Sequence, residues 1–173
     1  MAEQKCKTTP NIKTLMTAWD AQFLIRYHTV PLQTERQTVG AHSYAVSVLL
    51  NQLWPDSSKQ LILSALYHDV AEVILGDIPA TAKWGYPELR KAFEKAETQV
   101  MKSLELDFVL TKKEKDRLKM ADMLELVMYC NRHSSLPQMK MIRDAGNDYL
   151  LENFINNKDF EPVASLLRHL GLD

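Results

Sequence analysis

Apolar side chains recur along this chain at three- and four-residue steps, the spacing of helix faces. Ile12, Leu15, Met16, Trp19 and Phe23 mark a first helix, with Thr9 as its N-cap and Pro10 at its first helical position. The stripe predicts that Trp19 lies in the core, or is presented to a bound base by a helix leading into the next loop. Arg26 to Gly40 reads as a loop around Pro31, long enough for function or mobility. Ala41 to Leu53 is a helix buried on more than one side, stopped by Trp54-Pro55-Asp56. Ser57 with Gln60 forms a capping box for a third helix running through Leu61, Ala65 and Val73 to Leu75, with Gly76 as its left-handed C′ residue. Pro87 opens a fourth. Thr111 with Glu114 caps a fifth, which carries Leu118, Ala121, Leu124 and Met128 and fades near Asn131. Two more run from about Pro137 to Asn156 and from Pro162 to Leu170, the last closed by Gly171. The expectation is an all-α bundle of about seven helices in one domain spanning residues 1–173.

Composition supports that class. Five Gly and seven Pro in 173 residues are few for a turn-rich β fold. Twenty-one Lys+Arg against 22 Asp+Glu give a net charge of -1, which argues against a nucleic-acid polymer or a membrane surface as partner. Cys6 and Cys130 lack metal-type spacing and point to a reducing compartment. The polar start and the absence of a long apolar window predict a cytoplasmic protein without a signal peptide or membrane span.

The chemistry is concentrated in Tyr67-His68-Asp69-Val70-Ala71-Glu72-Val73-Ile74-Leu75-Gly76-Asp77-Ile78-Pro79. On a helix His68 and Glu72 share a face, and Asp69 lies three residues before Glu72. Burying three such groups unpaired costs on the order of 1–3 kcal/mol each, and a metal ion is a natural compensation. His-Asp dipeptides are common and by themselves read as a capped or solvated strip. His42, near the start of the preceding helix, and Asp122, within Lys-Met-Ala-Asp, add two more polar residues among apolar helical neighbours.

Together, His42, the pair His68-Asp69 and the distant Asp122 resemble the signature of the HD-domain phosphohydrolase superfamily, over roughly residues 26–130. The resemblance implies an HD helical fold in which these four ligate one divalent cation. Two imidazoles and two carboxylates suit Zn, Co, Mn, Ni or Fe(II). The longer string through Gly76-Asp77-x-Pro79 to Lys83 is similar to the 5′-deoxynucleotidase branch. Val73 stands where (p)ppGpp hydrolases carry an acidic residue, and no histidine lies between His68 and Asp122 to build a binuclear phosphodiesterase site.

The same resemblance implies roles. Glu72 handles protons for the attacking water, Asp77 faces the sugar or that water, Arg26 and Lys83 contact phosphate, and Tyr27 offers an aromatic surface to the base. Arg26-Tyr27 replaces the Arg-Trp usual in the branch, and Ala41-His42 replaces Glu-His. The segments Arg26 to Thr29 and Gln37 to Ser43 look closer to short phage-type HD proteins, among them dATP triphosphohydrolases. The implied activity is a metal-dependent triphosphohydrolase releasing deoxynucleoside and triphosphate. A 5′-nucleotidase acting on deoxynucleoside monophosphates uses the same motif, and a non-catalytic nucleotide sensor is the rival from another class. The partner is a small deoxynucleotide, in host cytoplasm if the source is a phage. By analogy the chain forms a homo-oligomer, with the apolar C-terminal helices as a possible interface.

The remaining candidates have plainer readings. His28 is a loop residue near the pocket or a solvated one. His133 and His169 suit helix C-termini. Glu125 is either a surface group or a support for the ligands. Lys112, Lys113 and Lys115 form a solvated face, and the eight Met follow helical spacing as packing residues.

Overall fold

The computed structural model describes residues 11–32 and 36–172. Among them are nine helices and no strand: α1 (Ile12–Asp20), α2 (Val39–Leu53), α3 (Lys59–Tyr67), α4 (Glu72–Leu75), α5 (Ala80–Gly85), α6 (Pro87–Ser103), α7 (Lys112–Arg132), α8 (Pro137–Phe154) and α9 (Glu161–His169). The predicted all-α class holds. The count exceeds seven because the third helix is divided and α5 carries no apolar stripe to announce it.

α7 is the axis of the bundle. Met120, Ala121, Leu124, Val127 and Cys130 on it are wholly buried, and α2, α3, α8 and α9 pack around it. Val46 and Leu50, Leu61 and Ala65, Met139 and Leu150, and Val163 and Leu167 bring those four helices into the same core. The Thr111–Glu114 capping box forms as the sequence predicts. A smaller cluster of Ala21, Val39, Val70, Leu104 and Leu106 joins the end of α1 to α2, to the turn after α3 and to the end of α6. None of the described helices is long and apolar enough to cross a membrane.

Five expectations need correction. The first helix begins at Ile12, capped by the Asn11 side chain accepting from the Thr14 amide at 3.2 Å; Thr9 and Pro10 lie outside the described residues. Its large apolar face points outward, so Trp19 is 60% exposed rather than core. Small residues face in instead: Ala21 is buried, Ala18 packs on the smaller cluster, and the Thr14 hydroxyl donates to the Leu104 carbonyl at 2.7 Å.

The helix expected to run from Ser57 to Leu75 starts one residue later, with Ser58 as its cap, and stops at Tyr67. The amides of Val70, Glu72 and Val73 bond carbonyls three residues back, at 3.0, 3.0 and 3.1 Å, forming a tight turn before α4 resumes. Gly76 has the positive φ expected of it, 83°, but ψ of 149° carries the chain away extended rather than into a left-handed cap. α2 begins at Val39, two residues before the predicted start, because Thr38 caps it.

Candidate active site

Three backbone contacts position the residues before the first histidine. Gly40 N–H donates to Ala21 O, Val39 N–H to Leu24 O and Arg26 N–H to Gln37 O, at 2.9, 2.9 and 2.8 Å. A Cβ on Gly40 would lie 2.9 Å from the Gln22 Cα, so glycine is what lets this segment lie against the start of α2. The ladder brings Arg26 towards the turn between α3 and α4. His42 projects from the first turns of α2, His68 caps the end of α3, Asp69 follows in the turn, and Asp122 sits midway along α7.

These four converge. The His42 and His68 Nε2 atoms are 3.2 Å apart. His42 Nε2 lies 3.5 Å from Asp69 Oδ2 and 3.2 Å from Asp122 Oδ1, and His68 Nε2 lies 3.4 Å from Asp69 Oδ1 and 3.8 Å from Asp122 Oδ1. The second nitrogens decide the tautomers. His42 Nδ1 meets the Glu125 carboxylate, an acceptor only, and His68 Nδ1 lies 2.8 Å from the Ala65 carbonyl, also an acceptor only. Each Nδ1 therefore carries a proton, which leaves each Nε2 as the atom turned towards the cluster. Two Nε2 lone pairs at 3.2 Å repel unless a cation or a proton lies between them. With a carboxylate beside them, His42, His68 and Asp69 bring ligand atoms close enough together to hold a divalent ion, and Asp122 Oδ1 stands 3.2 Å from His42 Nε2 at the edge of that group.

A cavity of about 320 Å³ opens beside Asp69 and Asp122. Arg26, Tyr27, Glu72, Asp77 and Lys83 all line it, so every predicted site residue outside the ligand cluster reaches one space. Glu72, the first residue of α4, is buried; its Oε2 has no protein partner, while Oε1 lies 3.4 Å from Lys83 Nζ. Lys83 is shared: it also lies 3.8 Å from Glu97 and stands over the Phe93 ring. Arg26 Nη1 is 3.9 Å from Asp69 Oδ2. Tyr27 is largely committed to the protein, stacked on Tyr129 at 5.0 Å and held in a left-handed backbone conformation, φ 55°. His28 is half-exposed, its Nδ1 3.7 Å from Asp77 Oδ2.

The charges shape one another. Burial alone lowers the His68 imidazole, but the Asp69 and Asp122 carboxylates reverse this and push it up to about 9. Burial, then Asp69 and Asp77, push Glu72 up to about 8 despite Lys83 and Arg26. Asp122 stays well below the usual carboxylate range; burial opposes this, but Lys119 and the two imidazoles outweigh it.

Lys119 is a residue that the sequence reading left out. It lines the cavity, with Nζ 2.9 Å from Asp122 Oδ2. Gln37, also unforeseen, donates from Nε2 to Glu125. Their signals were weak, Lys119 being one lysine among many and Gln37 a loop glutamine. Glu125 proves to be a buried support for His42 rather than a surface group.

Comparisons with known proteins bear on the family and the fold. The family described as 5′-deoxynucleotidase YfbR-like matches residues 24–140. A 5′-deoxynucleotidase of Photorhabdus laumondii is 27% identical over 104 residues, covering 59% of this chain and 51% of the relative. One from Vibrio cholerae is 31% identical over 64 residues, covering 36% and 33%. The chain thus spans about half or less of the length of these relatives. Among solved structures, the HD phosphohydrolase DatZ of cyanophage S-2L, bound to dA and one catalytic Zn2+ ion, superposes with a TM-score of 0.70 at 19% identity, covering 97% of this chain and 100% of that one. A protein from Pyrococcus horikoshii gives 0.66 at 19% identity, covering 92% and 98%. At such identities the structural likeness establishes the fold.

Proposed function

We propose that this chain, which belongs to the YfbR-like 5′-deoxynucleotidase family, is a divalent-metal-dependent phosphohydrolase of deoxynucleotides. The observation that supports this reading is the approach of the His42 and His68 Nε2 atoms, 3.2 Å apart and flanked by Asp69 and Asp122. These four residues would hold one ion of the Zn, Co, Mn, Ni or Fe group. Such an ion supplies Lewis acidity towards a phosphate oxygen and an acidified water.

The chain's own groups do the rest. Glu72 takes the water's proton on Oε2, the oxygen no protein group occupies. Arg26, Lys83 and Lys119 bind phosphate oxygens along the cavity wall. Asp77 accepts from the sugar, and Tyr27 bounds the nucleoside end. Small deoxynucleotides are the partners, in the cytoplasm, and the protein works as a homo-oligomer.

Three cations beside the metal cluster exceed what one phosphate dianion needs, and this favours a triphosphate tail, with the dATP type as the leading candidate. The second reading is a deoxynucleoside monophosphate. The names of the family and its curated relatives favour it, as does the share of Lys83 charge taken by Glu72 and Glu97. Incubating the metal-loaded protein with each dNTP and dNMP and identifying the products separates the two. Triphosphate release supports the first reading and orthophosphate from monophosphates the second. Turnover that survives chelation would sink both. Under the first reading, Lys119→Ala raises KM for dNTPs roughly tenfold or more while metal content and any dNMP turnover stay near wild type.

A further inference from the structure

Lys83 reaches the cavity from α5, but its ammonium is already engaged from behind. Nζ lies 3.4 Å from Glu72 Oε1, 3.8 Å from Glu97 Oε1 and 4.6 Å from the centre of the Phe93 ring. Glu72 lines the cavity beside it. Phe93 and Glu97 do not; they stand on α6, the helix on which α5 packs.

Spacing on α6 explains the contact. Phe93 is the buried residue of that helix, and Glu97 follows four positions later, one turn on and on the same face. The ring supports the ammonium, while the Glu97 carboxylate draws it away from Glu72. Neither carboxylate closes to the roughly 2.7–2.9 Å of a tight charge-assisted hydrogen bond, so Nζ is suspended between two anions. Burial disfavours the ionised form of Glu97, and Lys83 is the neighbour that most favours it.

We propose that Glu97 is a positioning residue that sets which phosphate chain length the site prefers, by holding Lys83 between α6 and Glu72 and offsetting part of the charge this lysine presents to a substrate. The inference rests on the deoxynucleotide reading and deepens it. Coulomb attraction scales with the charge of the ligand. A triphosphate tail carries roughly twice the charge of a monophosphate dianion, so an extra carboxylate beside the binding cation weakens it about twice as much in free energy. Glu97 thus moves the preference towards monophosphates, and its removal moves it towards triphosphates. A purely structural Glu97, pinning α5 to α6, predicts the opposite sign, because loosening α5 would weaken the binding of both.

Glu97→Gln keeps the shape of the side chain and removes its charge. Affinities for orthophosphate and inorganic triphosphate are measured by calorimetry on the metal-loaded protein with free metal ion held constant, and KM and kcat are measured for dNMPs and dNTPs. The variant binds triphosphate about tenfold and orthophosphate about threefold more tightly than wild type, since half the free energy of a tenfold change is a threefold one. KM falls in the same proportions, while metal content and melting temperature stay near wild type. In a Lys83→Met background the same substitution changes either affinity by less than about twofold, because the charge through which it acts is gone. Equal gains for the two anions, weaker binding of either, or an effect undiminished without Lys83 overturns the proposal. Wild type that hydrolyses neither class of nucleotide removes the phosphohydrolase reading alone; the two inorganic anions still decide the role of Glu97.

Discussion

His42 is wholly buried, and its Nδ1 is matched: Glu125 receives that proton, and Gln37 in turn donates to Glu125. Removing that acceptor frees the ring to turn or change tautomer. Glu125→Ala should therefore lower metal affinity by about 10–100-fold, measured by competition with a chromophoric chelator, while Glu125→Gln, whose amide oxygen still accepts, retains most of it. Loss of affinity in neither variant would mean that the ring is oriented by packing alone. The convergence of His42, His68, Asp69 and Asp122 was legible because His-x(25)-His-Asp with a later Asp is a pattern of types as well as spacing. Glu125 was only half legible. Its offset of three from Asp122 puts it near the ligand face, but a helix-borne glutamate is usually solvated, and only its burial beside His42 distinguishes it. Lys119, three residues before Asp122, could have been found by the same offset.

At the level of elements, the division of the third helix shows what periodicity misses. A tight turn with three-residue hydrogen bonds keeps Leu66, Val70 and Val73 near the spacing of a helix stripe, so the sequence reads as continuous where the backbone is not. That turn is what aims Asp69 at His42 while Glu72 starts a new helix facing the cavity. Gly76 ends it at φ 83° and leads directly to Asp77. Gly76→Ala should cost about 1–3 kcal/mol, because an L side chain rarely adopts this backbone region. The expected readings are a lower melting temperature and, from displaced Asp77, a higher KM. An unchanged melting temperature would show that the turn relaxes freely. α1 fails in another way: amphipathicity locates a stripe but does not say which face meets the core. Thr14, Ala18 and Ala21 won because small residues let the helix lie close to Leu104 and Val70.

For the whole molecule, a net charge of -1 hides a strongly coupled centre. Without metal, the folded chain holds the Glu72 proton up to about 8 against 4.5 for an ordinary glutamate, and the His68 proton up to about 9 against 6.5. Both groups bind protons more tightly when folded, so their contribution to stability falls as pH rises through 4.5–8 and 6.5–9. Asp69 and Asp122, held low, contribute above 3.8 and lose that contribution in acid. The chelated protein should melt at a lower temperature at pH 8.5 than at pH 5.5. Added metal, which displaces the His68 proton, should raise the melting temperature more at pH 8.5. Chelated protein that melts higher at pH 8.5 would contradict this account of the site's charge. The ligand cluster also has an inside and an outside: His42 closes its floor, while Asp69 and Asp122 face the cavity that Arg26 and Lys83 line. On the proposed reading, an ion arriving by that cavity would have to seat before the nucleotide, which would then lie across its exit. Loading would follow a compulsory order, and metal exchange would wait on product departure.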